Sequence, residues 1–239
     1  GGPDRWQTGT VLYTTGREAV YVASATDRSP ASTGRSTGTM IESLKRAWFS
    51  LEDRLFDLRH GIDTRHRAAD RAAVPAEAAT VVHATSYQAV WTRNLRVLIR
   101  AARRHAELRV FVDVGAGKGK ACIYASQHFA KVIGVEYSAD LLREATANCI
   151  RSGRRNITLL LADACEYDLP AHACLVFLFN PFDAVVLRQF VRRNLERLHA
   201  HGSIIAYAND MQHDTLAQLG LQCLFRDPAR NISLWRFAP

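Results

Sequence analysis

Apolar residues along the chain follow two regimes that meet near residue 108. Upstream, Ile41, Leu44, Trp48, Leu51, Leu55 and Leu58 recur at three- and four-residue intervals, and Thr39 followed by Glu42 has the spacing of a capping box. The spacing predicts an amphipathic helix from Thr39 with this stripe packed on the core rather than on a membrane. Trp91, Leu95, Leu98, Ile99 and Ala102 share a second helical face, which predicts a helix from Ser86 to about His105. Between the two, residues 60–75 are polar and charged, and HGIDT at 60–64 reads as a turn. Nearer the start, TVLYTTGREAVYVA (10–23) sets two β-branched and aromatic runs around a glycine turn, the pattern of a short hairpin. Residues 27–39, rich in Ser, Thr, Gly and Arg, carry too little apolar surface to offset their ordering entropy and read as a linker or loop.

Downstream the pattern changes to short apolar runs alternating with amphipathic helices, as a parallel sheet covered on both faces requires. Strands are predicted near 109–114, 131–136, 157–161, 173–179 and 202–208, with helices near 118–129, 139–152 and 184–200. LGLQCLFRD and RNISLWRFA close the chain as two strands joined by a turn at Asp227 and Pro228. With no helix between them, they form an antiparallel pair at one edge. The fold class is therefore α/β, organised as an N-terminal segment (1–38), a helical extension that caps a substrate site (39–107) and a nucleotide-binding domain (108–239).

Composition narrows the function without choosing it. A chain of 239 residues, 48% hydrophobic, buries one substantial core plus an extension. The net charge of +8, concentrated before residue 107, points to an anionic partner or to a solvated basic face. Cys122, Cys149, Cys165, Cys174 and Cys223 are scattered without metal-ligand spacing and read as reduced thiols of a cytoplasmic protein. No apolar run reaches the roughly 18 residues of a membrane span, so no membrane partner is expected.

The chemistry is carried by FVDVGAGKGKA (111–121), where a buried strand breaks into Gly115, Gly117 and Gly119 and enters a helix. Missing side chains let backbone N–H groups and a helix N-terminus approach a ligand. The Walker pattern does not fit, because Gly119 follows Lys118 where Ser or Thr would hold magnesium. The spacing is also G-x-G-x-G rather than the G-x-G-x-x-G of NAD-binding folds. Lys118 and Lys120 read as solvent-facing. Glu136 ends the second strand in VIGVEYS, about 20 residues beyond the first glycine, where a carboxylate accepts both hydroxyls of a ribose. NAD and S-adenosylmethionine both carry that ribose. ITLLLADACEY ends the third strand at Asp163, whose carboxylate either accepts an adenine amine or caps a turn.

With these residues the chain resembles the class I S-adenosylmethionine-dependent methyltransferases, in DVGAGKG, GVEYS and LADA. More narrowly, FVDVGAGKGKA, VIGVEYS, FLFNPFD, HGIDT and SYQ are similar to a bacterial group of that class whose substrates are mostly unassigned. The resemblance implies a Rossmann-like seven-stranded sheet with an antiparallel final strand pair, and S-adenosylmethionine as cofactor. It implies that Asp113, Gly115, Ala116, Gly117 and Gly119 approach the methionine moiety, with Tyr87 closing over its carboxylate. Glu136 then binds the ribose, Asp163 and Ala164 the adenine, and Asn180 borders both cofactor and acceptor.

Methyl transfer from a sulfonium is an in-line displacement that requires an aligned lone pair and a dry site, with no metal. In NPF, the Asn180 side-chain oxygen and the Pro181 carbonyl can accept N–H bonds from an amine while Phe182 covers it. The motif resembles the Asn/Asp-Pro-Pro-Tyr/Phe signature of amino-group methyltransferases with one proline missing. It is also similar to the Asn-rich motif of non-SET histone lysine methyltransferases. Asp183 and Tyr87 are the candidates to assist proton removal. N-methylation of a protein side chain or small amine is the leading expectation. RNA or DNA methylation, suggested by the basic N-terminal part, and a non-catalytic cofactor-binding module are the alternatives.

Overall fold

Val110–Val114 is buried at every position and forms β3, the strand on which the rest of the sheet is built. The computed structural model describes residues 14–15, 18–19, 37–65 and 90–238, and contacts divide the chain into Gly1–Glu42 and Ser43–Pro239. In the first unit β1 (Thr14–Thr15) and β2 (Glu18–Ala19) pair antiparallel, as the hairpin pattern requires. Most of residues 27–39 and all of 86–89, with Tyr87, lie outside the described residues.

The second unit holds a seven-stranded sheet of order β5-β4-β3-β6-β7-β9-β8. Its strands are β4 (Lys131–Glu136), β5 (Ile157–Leu161), β6 (Cys174–Phe179), β7 (Ile204–Ala208), β8 (Leu221–Asp227) and β9 (Ile232–Phe237). Neighbours from β5 to β7 run parallel, whereas β9 is antiparallel to both β7 and β8. This is the Rossmann-like methyltransferase sheet with its antiparallel final pair.

Alternation along the strands sends successive side chains to opposite faces. Phe111, Leu175, Phe177 and Ala206 meet α2 (Thr92–Ala102) and α3 (Lys120–Ala125) on one face. Val112, Val176, Leu178 and Tyr207 meet α5 (Ala184–Arg193) and α6 (Leu195–Ala200) on the other. Between β4 and β5, α4 (Ala139–Arg151) starts at Ser138, whose Oγ accepts the Leu141 N–H at 3.4 Å.

Four expectations change. The helix expected from Ser86 begins at Thr92, because Trp91 is extended. The helix expected over 184–200 is broken at the buried Asn194, whose Oδ1 accepts the Leu169 N–H at 2.7 Å and whose Nδ2 donates to Tyr167 O and Phe190 O at 3.0 Å each. An unforeseen short helix, α7 (His213–Gln218), connects β7 to β8. The fourth change concerns α1 (Thr37–His60). Its predicted core stripe faces outward: Trp48, Leu51, Leu55 and Leu58 are 61%, 48%, 56% and 78% exposed. Phe49, Glu52, Asp53, Phe56 and Asp57 are the half-buried face instead.

All five cysteines are free, with Cys122, Cys149 and Cys174 buried. Among the described residues no helix is long and apolar enough to cross a membrane.

Candidate functional site

The chain leaves β3 through three glycines in the left-handed region, Gly115 (φ 84°), Gly117 (φ 53°) and Gly119 (φ 81°). The N–H groups of Gly115 and Ala116 both donate to Val135 O at 2.9 Å, which folds the loop over the end of β4. A Cβ on Gly115 would stand 2.6 Å from the Pro181 Cβ, so the turn after β3 and the turn after β6 touch only because residue 115 has no side chain.

Register does the rest of the assembly. Val114 pairs with Val135, and Glu136 with Leu161. The glycine loop, Glu136 and residues 162–164 therefore leave three adjacent strands at one carboxyl edge, each about 4.8 Å from the next. Glu136 is 3% exposed; its Oε2 accepts the Gly117 N–H at 2.8 Å and its Oε1 the Ser138 N–H at 2.9 Å. Burial pushes its carboxyl above the ordinary range, while the N–H groups of Ser138, Gly117 and Tyr137 oppose the rise. A carboxylate oxygen has two lone pairs, so these bonds do not exhaust its capacity for ligand hydroxyls. Asp163 accepts the Cys165 N–H at 2.8 Å and thus caps a turn as well as bordering the site, and Ala164 behind it is buried.

Asp113 is buried on the α3 face of β3, where the Cys122 thiol donates to its Oδ2 at 3.3 Å. Burial pushes its carboxyl up to about 8, the Cys122 hydrogen bond resists, and the nearby Glu136 charge adds to the rise. The raised value favours the protonated acid at neutral pH, held against the Cys122 thiol of α3.

At the end of β6, Asn180 takes a left-handed conformation (φ 42°), which an asparagine tolerates better than most residues. Its Oδ1 accepts the hydroxyl of Tyr207 at 3.1 Å, from a β7 side chain 1% exposed. Two neighbours in the motif have other roles than expected. Phe182 is buried in the second core cluster, its ring centroid 6.5 Å from that of Phe190, so it anchors the turn rather than covering an acceptor. Asp183 caps α5, its Oδ1 accepting N–H groups of Val185 at 2.8 Å and Val186 at 3.3 Å, so its carboxylate is committed to the helix start.

Lys118 and Lys120 are buried rather than solvent-facing. Lys118 Nζ donates to Arg65 O at 2.9 Å and pairs with Glu144 at 3.2 Å. Lys120 Nζ lies 3.2 Å from Asp53 and 3.6 Å from Asp57 of α1. Asp53 also accepts the N–H and hydroxyl of Thr92 at the start of α2 (3.0 and 2.9 Å), and Asp57 accepts the hydroxyl of Thr64 at 2.8 Å. Asn148 of α4 completes the set, donating to Lys118 O at 2.9 Å and Asp63 O at 3.1 Å. The HGIDT turn and the inner face of α1 thus fasten to the glycine loop. Asp53, Asp57, Asn148 and Tyr207 escaped the sequence reading; two lysines at a helix start beside a buried strand were the signal that carboxylates had to come from elsewhere.

Residues 111–202 match the family described as Methyltransferase domain. No curated protein matches the chain. Among solved structures it is similar to a ribosomal protein L11 methylase from Lactobacillus delbrueckii subsp. bulgaricus, at 16% identity over 62% of this chain and 78% of that one, TM-score 0.48. The N-methyltransferase NodS from Bradyrhizobium japonicum aligns at 14% identity over 62% and 96%, TM-score 0.46. An S-adenosylmethionine-dependent methyltransferase from Geobacter sulfurreducens, in complex with S-adenosyl-L-homocysteine, aligns at 17% identity over 55% and 64%, TM-score 0.41. The buried carboxylate at the end of β4, beside a loop of left-handed glycines, has the donor and acceptor set that an adenosyl group needs. Residues 111–202 are thus a methyltransferase domain set on this sheet order.

Proposed function

We propose that the protein methylates a nitrogen, on a protein side chain or a small amine, at the turn formed by Asn180 and Pro181. The observation that carries this reading is the Tyr207 hydroxyl on Asn180 Oδ1. It fixes the amide with its oxygen as an acceptor, beside the glycine loop that Pro181 touches. Bound S-adenosylmethionine supplies the electrophilic methyl group. On the protein side, Glu136 accepts the ribose hydroxyls, Asp163 and Ala164 border the adenine, and Gly115, Ala116, Gly117 and Gly119 present backbone to the methionine moiety, with Asp113 supporting that loop.

Asn180 Oδ1 and the Pro181 carbonyl accept N–H bonds from the acceptor, which turns the nitrogen lone pair away from both and toward the carboxyl edge of β3. Such acceptors favour N–H over a hydroxyl oxygen, because a hydroxyl offers one donor where a neutral primary amine offers two and keeps its lone pair.

Incubation with methyl-labelled cofactor and a fractionated lysate tests the reading. Label should enter protein or small amines, and Asn180→Ala should reduce it by about tenfold or more, the effect of losing one positioned hydrogen bond. Affinity for S-adenosylhomocysteine should stay within about twofold of wild type. Label confined to nucleic acid, or undiminished in Asn180→Ala, contradicts it.

A further inference from the structure

Trp48, Leu51, Leu55 and Leu58 follow one another at steps of three, four and three residues, and all four are exposed. Ile41 and Leu44 continue the same rhythm upstream in the sequence, so the a and d positions of successive heptads are all apolar. A surface helix normally turns such a seam inward. Here the inward face is taken by Asp53 and Asp57, which hold Lys120 and cap Thr92 and Thr64, so the seam is left on the outside.

Beside it, α1 and α2 enclose a groove of about 390 Å³ with Trp48, Leu51 and Leu55 along one wall. The opposite wall carries Arg93, Arg96 and Arg100, and Arg230 also lines the groove. Steps of three and four residues put the three arginines of α2 on one helical face, spread over about 10 Å. Glu52 is the one acidic residue lining the groove, and it pairs with Arg96 at 2.5 Å. The Arg93 guanidinium lies 5.0 Å over the Phe49 ring of α1.

We infer that this face docks an acidic amphipathic helix of a partner protein, its apolar ridge on the Trp48–Leu51–Leu55–Leu58 seam and its carboxylates against Arg93 and Arg100. Charge complementarity selects this occupant. A second copy of a chain with net charge +8 would bring the same arginines and α1 bases to a face already basic. A single-stranded nucleic acid would use the arginines and stack on Trp48, yet leave the three leucines in water. An apolar ridge flanked by acids satisfies both walls, in the manner of helix-in-groove recognition. The occupant would abut the helix that grips the glycine loop through Lys120.

Fluorescence anisotropy with the full chain tests this. The probe is a labelled peptide of about four heptads with Leu at a and d and Glu at e and g. Controls are the same peptide with Lys for Glu and a single-stranded oligonucleotide. The acidic peptide should bind and weaken as salt rises. It should lose at least about tenfold in affinity with Leu51→Lys/Leu55→Lys, and again with Arg93→Ala/Arg100→Ala. Circular dichroism and S-adenosylhomocysteine affinity should be unchanged in both variants, which separates loss of docking from loss of fold. Several results would overturn the inference. These are no binding of the acidic peptide, as when the chain's own segments cover the seam; binding insensitive to both variants; or tighter binding of the Lys peptide or the oligonucleotide. A dimer in sedimentation velocity that Leu51→Lys/Leu55→Lys dissociates would assign the face to a second copy instead.

Discussion

Asp113 is a side chain whose environment decides its charge. Folded, it keeps its proton up to about 8, whereas an unfolded aspartate loses it near about 3.9. Between those values the unfolded chain binds fewer protons, so this residue makes stability fall as pH rises, by at most about 1.4 kcal/mol per pH unit, and its contribution levels off above the folded value. Glu136, also raised by burial, acts in the same direction, and the buried Cys122 thiol is pushed up as well and stays neutral. Asp113→Asn should therefore flatten the pH dependence of urea unfolding. It should be more stable relative to wild type at about pH 8.5 than at about pH 5.5, and parallel slopes for the two proteins would show that the buried acid does not carry the effect. Residue type alone placed Gly115, Glu136 and Asn180 at strand ends, because each closes a recognisable apolar run. It did not reveal Tyr207, an aromatic in a buried strand whose partner is 27 residues away.

At the scale of elements, the strands were legible because each is a short apolar run bounded by turn residues, and β5 coincides with its predicted span at Ile157–Leu161. The helices were less so, for a physical reason. A stripe of leucines predicts an inward face only when nothing on the opposite face is worth more buried. Along α1, Asp53 and Asp57 are tied to Lys120, Thr92 and Thr64, and that network orients the helix with its leucines outward. Likewise, the break at Asn194 answers to the N–H of Leu169, which local propensity cannot see. If the network orients α1, removing its cation leaves two carboxylates, 16% and 15% exposed, without it. Lys120→Met should cost about 3 kcal/mol, the scale for breaking a largely buried ion pair. Amide hydrogen exchange should speed up first in α1 and at the start of α2. A loss below about 0.5 kcal/mol, the size of an ordinary surface change, would mean that packing of Phe49 and Phe56 holds the helix without it.

Across the whole molecule, parallel register converts three motifs, separated by tens of residues, into one edge. Gly115 follows β3, Glu136 closes β4 and Asp163 follows β5, and the order β5-β4-β3-β6 puts Asn180 on the far side of the glycine loop. That juxtaposition was legible because a parallel sheet covered by helices leaves its carboxyl edge as the place where such residues meet. The docking of the HGIDT turn and α1 onto the loop was not, since it depends on side-chain ion pairs between segments far apart in sequence. The central claim is that Glu136 and the glycine loop hold an adenosyl group between them, and titration calorimetry of S-adenosylhomocysteine and of NAD into wild type and Glu136→Gln tests it most directly. The expected result is binding of S-adenosylhomocysteine to wild type, weakened by about tenfold or more in Glu136→Gln, as loss of hydrogen bonds to a charged group requires, with no heat from NAD. Binding of NAD in place of S-adenosylhomocysteine, or equal affinity in Glu136→Gln, would contradict it.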